Sequence, residues 1–231
     1  MKKLQHLTAS HCNLMSVPST LNQCSDLRLL DLNNNKIESV PTDFSGLQKL
    51  VNVKLNRNKI SYLDKSFFSL PLLDFIEISE NKLTYLPDEL CNMKQLRSLQ
   101  MFSNEFTSLP ENIGNLNNLE VISIYFNQLK SIPESIGNLT KLTALYVGGN
   151  EIDRIPASIQ KLENLNAFEI QENPLVEFPI FIYDMKNLER IWVSFNYTKL
   201  PGYKESTENP IIIVGPNKDA VEEEGDFKFE H

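Results

Sequence analysis

The chain has 231 residues, 41% of them hydrophobic, with 22 Lys and Arg against 30 Asp and Glu for a formal net charge of −8. That balance argues against a nucleic-acid binder, which needs a basic stripe, and no apolar run approaches the length of a membrane span. The three cysteines, Cys12, Cys24 and Cys91, offer no paired disulfide framework.

Leucine recurs at Leu4, Leu27, Leu50, Leu73, Leu96, Leu119, Leu142, Leu165 and Leu188, always 23 residues apart. Counting each as position 1 defines nine repeats, and internal repetition of this period signals a solenoid. Positions 1, 4, 6, 11, 14, 18 and 21 are apolar throughout repeats 1 to 8, which gives 56 inward side chains. No single repeat could bury such a face alone, whereas stacked repeats share a continuous core. Positions 3 to 7 read as one short parallel strand per repeat, with 4 and 6 inward and 3, 5 and 7 outward.

Position 9 reads Cys12, Asn35, Asn58, Asn81, Asn104, Asn127, Asn150, Asn173 and Asn196. An amide offers two donors and an acceptor, which suits a corner where backbone groups turn inward and need partners. The column predicts a ladder, with the thiol of Cys12 bonding more weakly at its first rung. Position 15 is proline in most repeats and rules out regular helix at the following corner. Asp64 replaces it in repeat 3, which predicts a looser corner there. The convex segments are long enough only for a helical turn or a 3-10 segment.

These columns, L-x-x-L-x-L-x-x-N/C-x-L followed by Pro at position 15, resemble the leucine-rich repeat family, in the 23-residue form found in bacterial proteins and in intracellular Ras-type scaffolds. The resemblance runs from residue 4 to about 202. It implies an α/β fold: a right-handed curved solenoid with a parallel sheet on the concave face and 3-10 or short helical turns on the convex face. Residues 1–202 form the nine repeats, and 203–231 form a C-terminal capping segment and acidic tail. The cysteine-rich caps of extracellular animal homologues are absent, which favours a bacterial or intracellular protein.

Ala9 is small for a core position, so the first repeat is weakly covered. His6 and His11 lie near Cys12, but Cys12 is expected to point inward and no carboxylate completes a metal set. At the other end, repeat 9 loses one residue before Leu200, and Ile211 to Val214 read as a terminal strand covering the last repeat, with Pro210 and Pro216 discouraging further pairing. The tail 203–231 holds eight acids and three bases, leaving the repeats nearly neutral. Along them Arg28, Lys54 and Arg57 precede Glu77, Glu80, Glu169, Glu172 and Glu189, a polarity that could orient a charged partner. The N-terminus carries no apolar run of signal-peptide length, so the expected location is the cytoplasm, with export lacking a recognisable N-terminal signal as the alternative.

The concave columns carry the functional reading. Phe75, Phe102, Tyr125, Phe126, Tyr146, Trp192 and Phe195 place aromatic side chains on the outward positions, and Gly148 and Gly149 follow Tyr125 and Phe126 one repeat later. With strands about 4.8 Å apart, Phe102 and Tyr125 become neighbours, and the glycines predict a shallow pocket walled by aromatics. Aromatic side chains dominate interface hot spots. Together with Glu169 these residues are the expected protein-binding surface, on a protein without catalytic residues, metal or cofactor. By resemblance the partner is a protein bound on the concave face; for a bacterial source it would be a host protein. The competing reading is a structural unit that self-associates, as a homodimer for instance, through its N-terminal edge or its tail.

Overall fold

The computed structural model describes residues 3–206 and 210–215; most of the acidic tail and Pro216 lie outside them. Ten short parallel strands form one sheet in strict chain order: β1 (His6–Thr8), β2 (Leu29–Asp31), β3 (Asn52–Lys54), β4 (Phe75–Glu77), β5 (Ser98–Gln100), β6 (Val121–Ser123), β7 (Ala144–Tyr146), β8 (Ala167–Glu169), β9 (Arg190–Val193) and β10 (Ile211–Val214). From β1 to β9 every strand residue pairs with the residue 23 positions later, so the repeat period in the sequence is the register of the sheet. The result is the right-handed, curved solenoid that the sequence implied.

The convex side returns through 3-10 segments such as Asp88–Asn92, Glu134–Asn138 and Ala157–Lys161. The residue before each of these three is proline, held at φ between −75° and −65°. Its carbonyl accepts the N–H of the core residue three places on, as in Leu90 to Pro87 (3.1 Å) and Ile136 to Pro133 (3.0 Å). Proline fixes the geometry and keeps its acceptor, which is all the corner needs. The corner at Asp64 is not loose. The Asp64 carbonyl accepts from Phe67 N at 2.9 Å, and its Oδ1 accepts from Ser66 N at 2.9 Å. A side-chain turn thus replaces what the pyrrolidine ring supplies elsewhere.

Nearly all of the inward columns are buried, most of them completely. Most of the exceptions fall in repeat 1, where Leu4, Leu7, Ala9, Leu14 and Val17 are only partly covered because among the described residues no repeat stacks on their outer side. Cys12 is exposed there, its Sγ donating to the Ser10 carbonyl at 3.2 Å, so it does not point into the core as expected; Cys24 and Cys91 are buried. The reason is geometric. A ladder residue is enclosed by the turn before it, and repeat 1 has none among the described residues.

From repeat 2 to repeat 8 the ladder is regular. Asn127 Nδ2 lies 3.1 Å from the Met101 carbonyl, 3.0 Å from that of Ile124 and 3.3 Å from that of Tyr125, while its Oδ1 accepts from Phe106 N at 3.1 Å. One side chain therefore fastens its own turn to the preceding one. Asn196 breaks the pattern: it is exposed, and the next residue, Tyr197, is fully buried in its place. The Tyr197 hydroxyl accepts from Asn173 N at 2.9 Å and shares its hydrogen between the carbonyls of Asn173 (2.6 Å) and Ile170 (3.0 Å). Repeat 9 is one residue short and its chain enters a 3-10 segment at Phe195–Lys199, which turns Asn196 outward.

Strand β10 pairs in parallel with β9, Ile211 opposite Arg190 through Val214 opposite Val193. Ile212 packs against the core. On the convex side Tyr203 meets Phe178 edge-on at 5.2 Å, and the Tyr183 hydroxyl donates to the Lys204 carbonyl at 2.8 Å. Residues 200–206 and 210–215 thus cover the last repeat on both sides.

Candidate functional site

Outward side chains at positions 5 and 7 of each strand, and at position 8 beside them, build the concave surface. Position 8 has a backbone property that its residue types conceal. His11, Asn34, Arg57, Glu80, Ser103, Phe126, Gly149 and Glu172 all hold φ between +52° and +61°. Seven of these eight carry a side chain in a conformation that disfavours it. The turn requires it, because the strand ends here and the next residue must aim its amide inward to the ladder. Phe195 escapes the constraint because its repeat is already in the 3-10 segment.

Phe126 leaves the sheet from this strained position and is 51% exposed. Phe102 and Tyr125 stack face to face, ring centroids 4.6 Å apart and planes within 6°, and Phe126 meets Tyr125 edge-on at 5.3 Å. Such pairs contribute about 0.5 to 1.5 kcal/mol beyond the area they bury. The glycines do not open the expected pocket. A Cβ on Gly149 would run into the ring of Phe126, and a Cβ on Gly148 would lie 2.6 Å from Glu169 Oε1. Neighbouring side chains lean into the space from both sides, so the surface is a filled aromatic ridge. Gly149→Ala is accordingly expected to lower stability in urea unfolding by about 1 to 2 kcal/mol, from the left-handed backbone alone, and to displace the Phe126 ring, visible as shifted aromatic resonances.

A second group lies further along. Tyr146, Glu169 and Trp192 occupy position 5 on three consecutive strands in direct register. The Tyr146 and Trp192 rings approach to 6.4 Å between centroids, with planes 57° apart, across the strand that carries Glu169. Glu169 Oε1 accepts from Gln171 Nε2 at 2.9 Å. Burial pushes the Glu169 carboxyl above its usual value; the Gln171 bond works in the opposite direction and Glu172 adds to the rise. The Tyr125 phenol is also raised, first by burial and then by the charges of Glu169 and Glu80.

Phe75 and Phe195 stand apart from these groups. The Phe75 ring lies 5.8 Å from Lys54 Nζ, and Phe195, 38% exposed, lies 5.9 Å from Lys199 Nζ. The charge polarity in the sequence is largely cancelled in its middle: Arg57 Nε donates to Glu80 Oε1 at 2.8 Å. What persists is the negative end around Glu169. Sequence reasoning did not single out Gln171, which orients that carboxylate, or Ile213, which stands beside Trp192 in the sheet. Gln171 was legible by alternation, being two residues from Glu169 and so on the same face. Ile213 was not, because the insertion before β10 breaks the count.

A family profile described as a leucine-rich repeat region matches residues 59–153, and a second, for two leucine-rich repeat copies, matches residues 2–49. No curated protein matches the chain by sequence. Among solved structures, a leucine-rich repeat protein of Leptospira interrogans is 27% identical with a TM-score of 0.73, over 92% of this chain and 61% of its own. The ectodomain of a membrane receptor kinase from Arabidopsis thaliana, solved in complex with Casparian strip integrity factor 2, is 28% identical with a TM-score of 0.70, over 83% of this chain and 27% of its own. An internalin from Listeria monocytogenes superposes with a TM-score of 0.74 over 99% of this chain and 62% of its own; at 24% identity it shows the shared fold alone. The chain therefore spans less than two thirds of the length of each of these proteins.

Proposed function

We infer the role of this chain from the premise that it belongs to the leucine-rich repeat proteins: it is a non-enzymatic module that binds a protein partner on its concave sheet. The fold class is one that commonly mediates protein interaction, and the observation that carries the assignment to this face is its aromatic surface. Phe102, Tyr125, Phe126, Tyr146 and Trp192 stand on outward positions of neighbouring repeats, where the fold does not need them: the equivalent positions in repeats 1 and 2 hold Thr8, Ser10, Asp31 and Asn33. Exposed aromatic clusters mark contact surfaces. A peptide or protein segment is the class of partner that the receptor ectodomain complex supports by similarity.

The test is affinity capture with the wild type and with a Phe102→Ser, Tyr125→Ser, Trp192→Ser triple variant, both checked for folding and for mass by light scattering. Loss of each hot-spot aromatic removes about 2 kcal/mol, so a partner held by this face is expected to bind the triple variant at least about a hundredfold more weakly at unchanged mass. Equal capture by both proteins refutes the face. The alternative, self-association through the N-terminal edge or the C-terminal tail, predicts a dimeric mass in both.

A further inference from the structure

We propose that Tyr146, Glu169 and Trp192 form a receptor for one cationic side chain, a lysine or an arginine, carried by the partner. The proposal rests on the concave-face reading above and gives that face a chemistry. Its basis is a carboxylate placed where the fold does not complete it. Glu169 lies partly buried between two aromatic neighbours in register on either side. Among the described residues its carboxylate accepts one hydrogen bond, from the neutral amide of Gln171. The ion pairs among the described residues join other groups: Lys49 with Asp26, Arg57 with Glu80, Lys59 with Glu38, Arg97 with Asp74 and Arg154 with Glu177. Arg190, on the same face of β9, is exposed and belongs to none of them. Withdrawing a carboxylate from water without a counter-charge is unfavourable, and a leucine at this position would pack against the rings at no such cost.

The rings suit the missing partner. Residues on β7 and β9 are separated by two strand spacings, roughly 9.6 Å, yet the ring centroids are 6.4 Å apart, so the two rings converge across the strand that carries Glu169. Their planes are 57° apart, and Glu169 lies in sheet register between the two residues that carry them. A cation interacts with an aromatic face when within about 6 Å of the centroid, and with the centroids 6.4 Å apart a single charged group can satisfy that distance to both rings. A Cβ at Gly148 would lie 2.6 Å from Glu169 Oε1, so the glycine lets the carboxylate keep the position it holds. Glu172 adds charge of the same sign nearby, so an acidic segment is repelled and a basic one is drawn in.

Trp192 is the one tryptophan in the chain, so emission excited at the red edge, where tyrosine does not absorb, reports on this site alone. Capped pentapeptides with a single lysine, arginine or norleucine among four glycines are titrated into the intact protein. The expected result is a saturable change in Trp192 emission with the lysine or arginine peptide, and at least about tenfold weaker binding of the norleucine peptide, which lacks the charge but keeps the length. Glu169→Gln, which keeps shape and hydrogen-bonding capacity, should weaken the cationic peptides by about tenfold or more. Tyr146→Leu should weaken them as well, with an unfolding curve recorded for each variant. Equal binding of norleucine and lysine peptides overturns the proposal, as does unchanged binding to a folded Glu169→Gln protein, or no response from any peptide. These outcomes separate the two levels of the argument. A partner lost from the triple aromatic variant but retained by Glu169→Gln leaves the concave face standing and removes the cation receptor.

Discussion

Asn127→Ala will destabilise the protein by about 3 kcal/mol or more, because a buried donor or acceptor left without its partner costs about 1 to 3 kcal/mol. Asn127 is 8% exposed and serves three carbonyls and one amide on two consecutive turns. Alanine is too small to replace any of these bonds, and water has little access to restore them. The site lies mid-solenoid, where each repeat is held chiefly by its neighbours. The loss should therefore weaken the coupling between repeats 5 and 6 as well as total stability. Urea unfolding followed by circular dichroism should show a lower midpoint and a broader transition, the latter reporting reduced cooperativity between the two halves. A change below about 0.5 kcal/mol would show that the ladder is incidental.

The second large effect is expected at the C-terminal end of the same ladder. Tyr197→Phe keeps the ring and its packing but removes the hydroxyl that serves Asn173 N, Asn173 O and Ile170 O. The cost should be about 2 to 3 kcal/mol, large for the loss of one oxygen atom, and Tyr197→Ala should add a cavity term that brings the total to about 3 to 5 kcal/mol. Burial pushes the Tyr197 phenol up to about 12, against the lowering effect of its hydrogen bond with Asn173. A phenol raised in the folded state contributes its stability fully below the ordinary tyrosine value and loses it as pH rises through the folded value. Alkaline unfolding of the wild type should therefore begin between pH 10 and about 12, and Tyr197→Phe should lack that component. Superimposable alkaline transitions for the two proteins would refute the role assigned to the hydroxyl.

Those two residues also mark where the sequence was legible and where it was not. Asn127 could be read because its constraint repeats every 23 residues, and a periodic constraint exposes itself by recurrence. Sheet register, core columns and proline corners were readable for the same reason. Tyr197 could not be read that way. The one-residue shortening of repeat 9 left Asn196 in the expected column, and only the turn of the chain into a 3-10 segment shows that the next residue takes its place. Cys12 is a related case, a column member whose environment depends on a neighbouring turn. At the concave face the outward positions were correct by alternation alone, and so was the contact between Phe102 and Tyr125. The glycines misled because an absent side chain looks like space, while the volume is in fact taken by Phe126 and Glu169 reaching over from adjacent repeats. Asp64 misled in the opposite sense, since its carboxylate supplies a restraint that the missing proline seemed to remove.

The left-handed residue at position 8 bears on how such a surface changes over generations. In repeats 1 to 8 this backbone geometry is set by the strand exit and the amide ladder, whatever side chain is attached: a histidine, two acids, an arginine, an asparagine, a serine, a phenylalanine and a glycine all occupy it. Exchanging one unbranched non-glycine side chain for another there changes the backbone strain only modestly, Asn and Asp bearing it most easily, and touches no inward column. The position is thus a row of interchangeable fittings on a fixed rail, one every 23 residues. Contacts along one border of the concave face can drift freely in charge, size and polarity while the fold beneath them registers almost nothing.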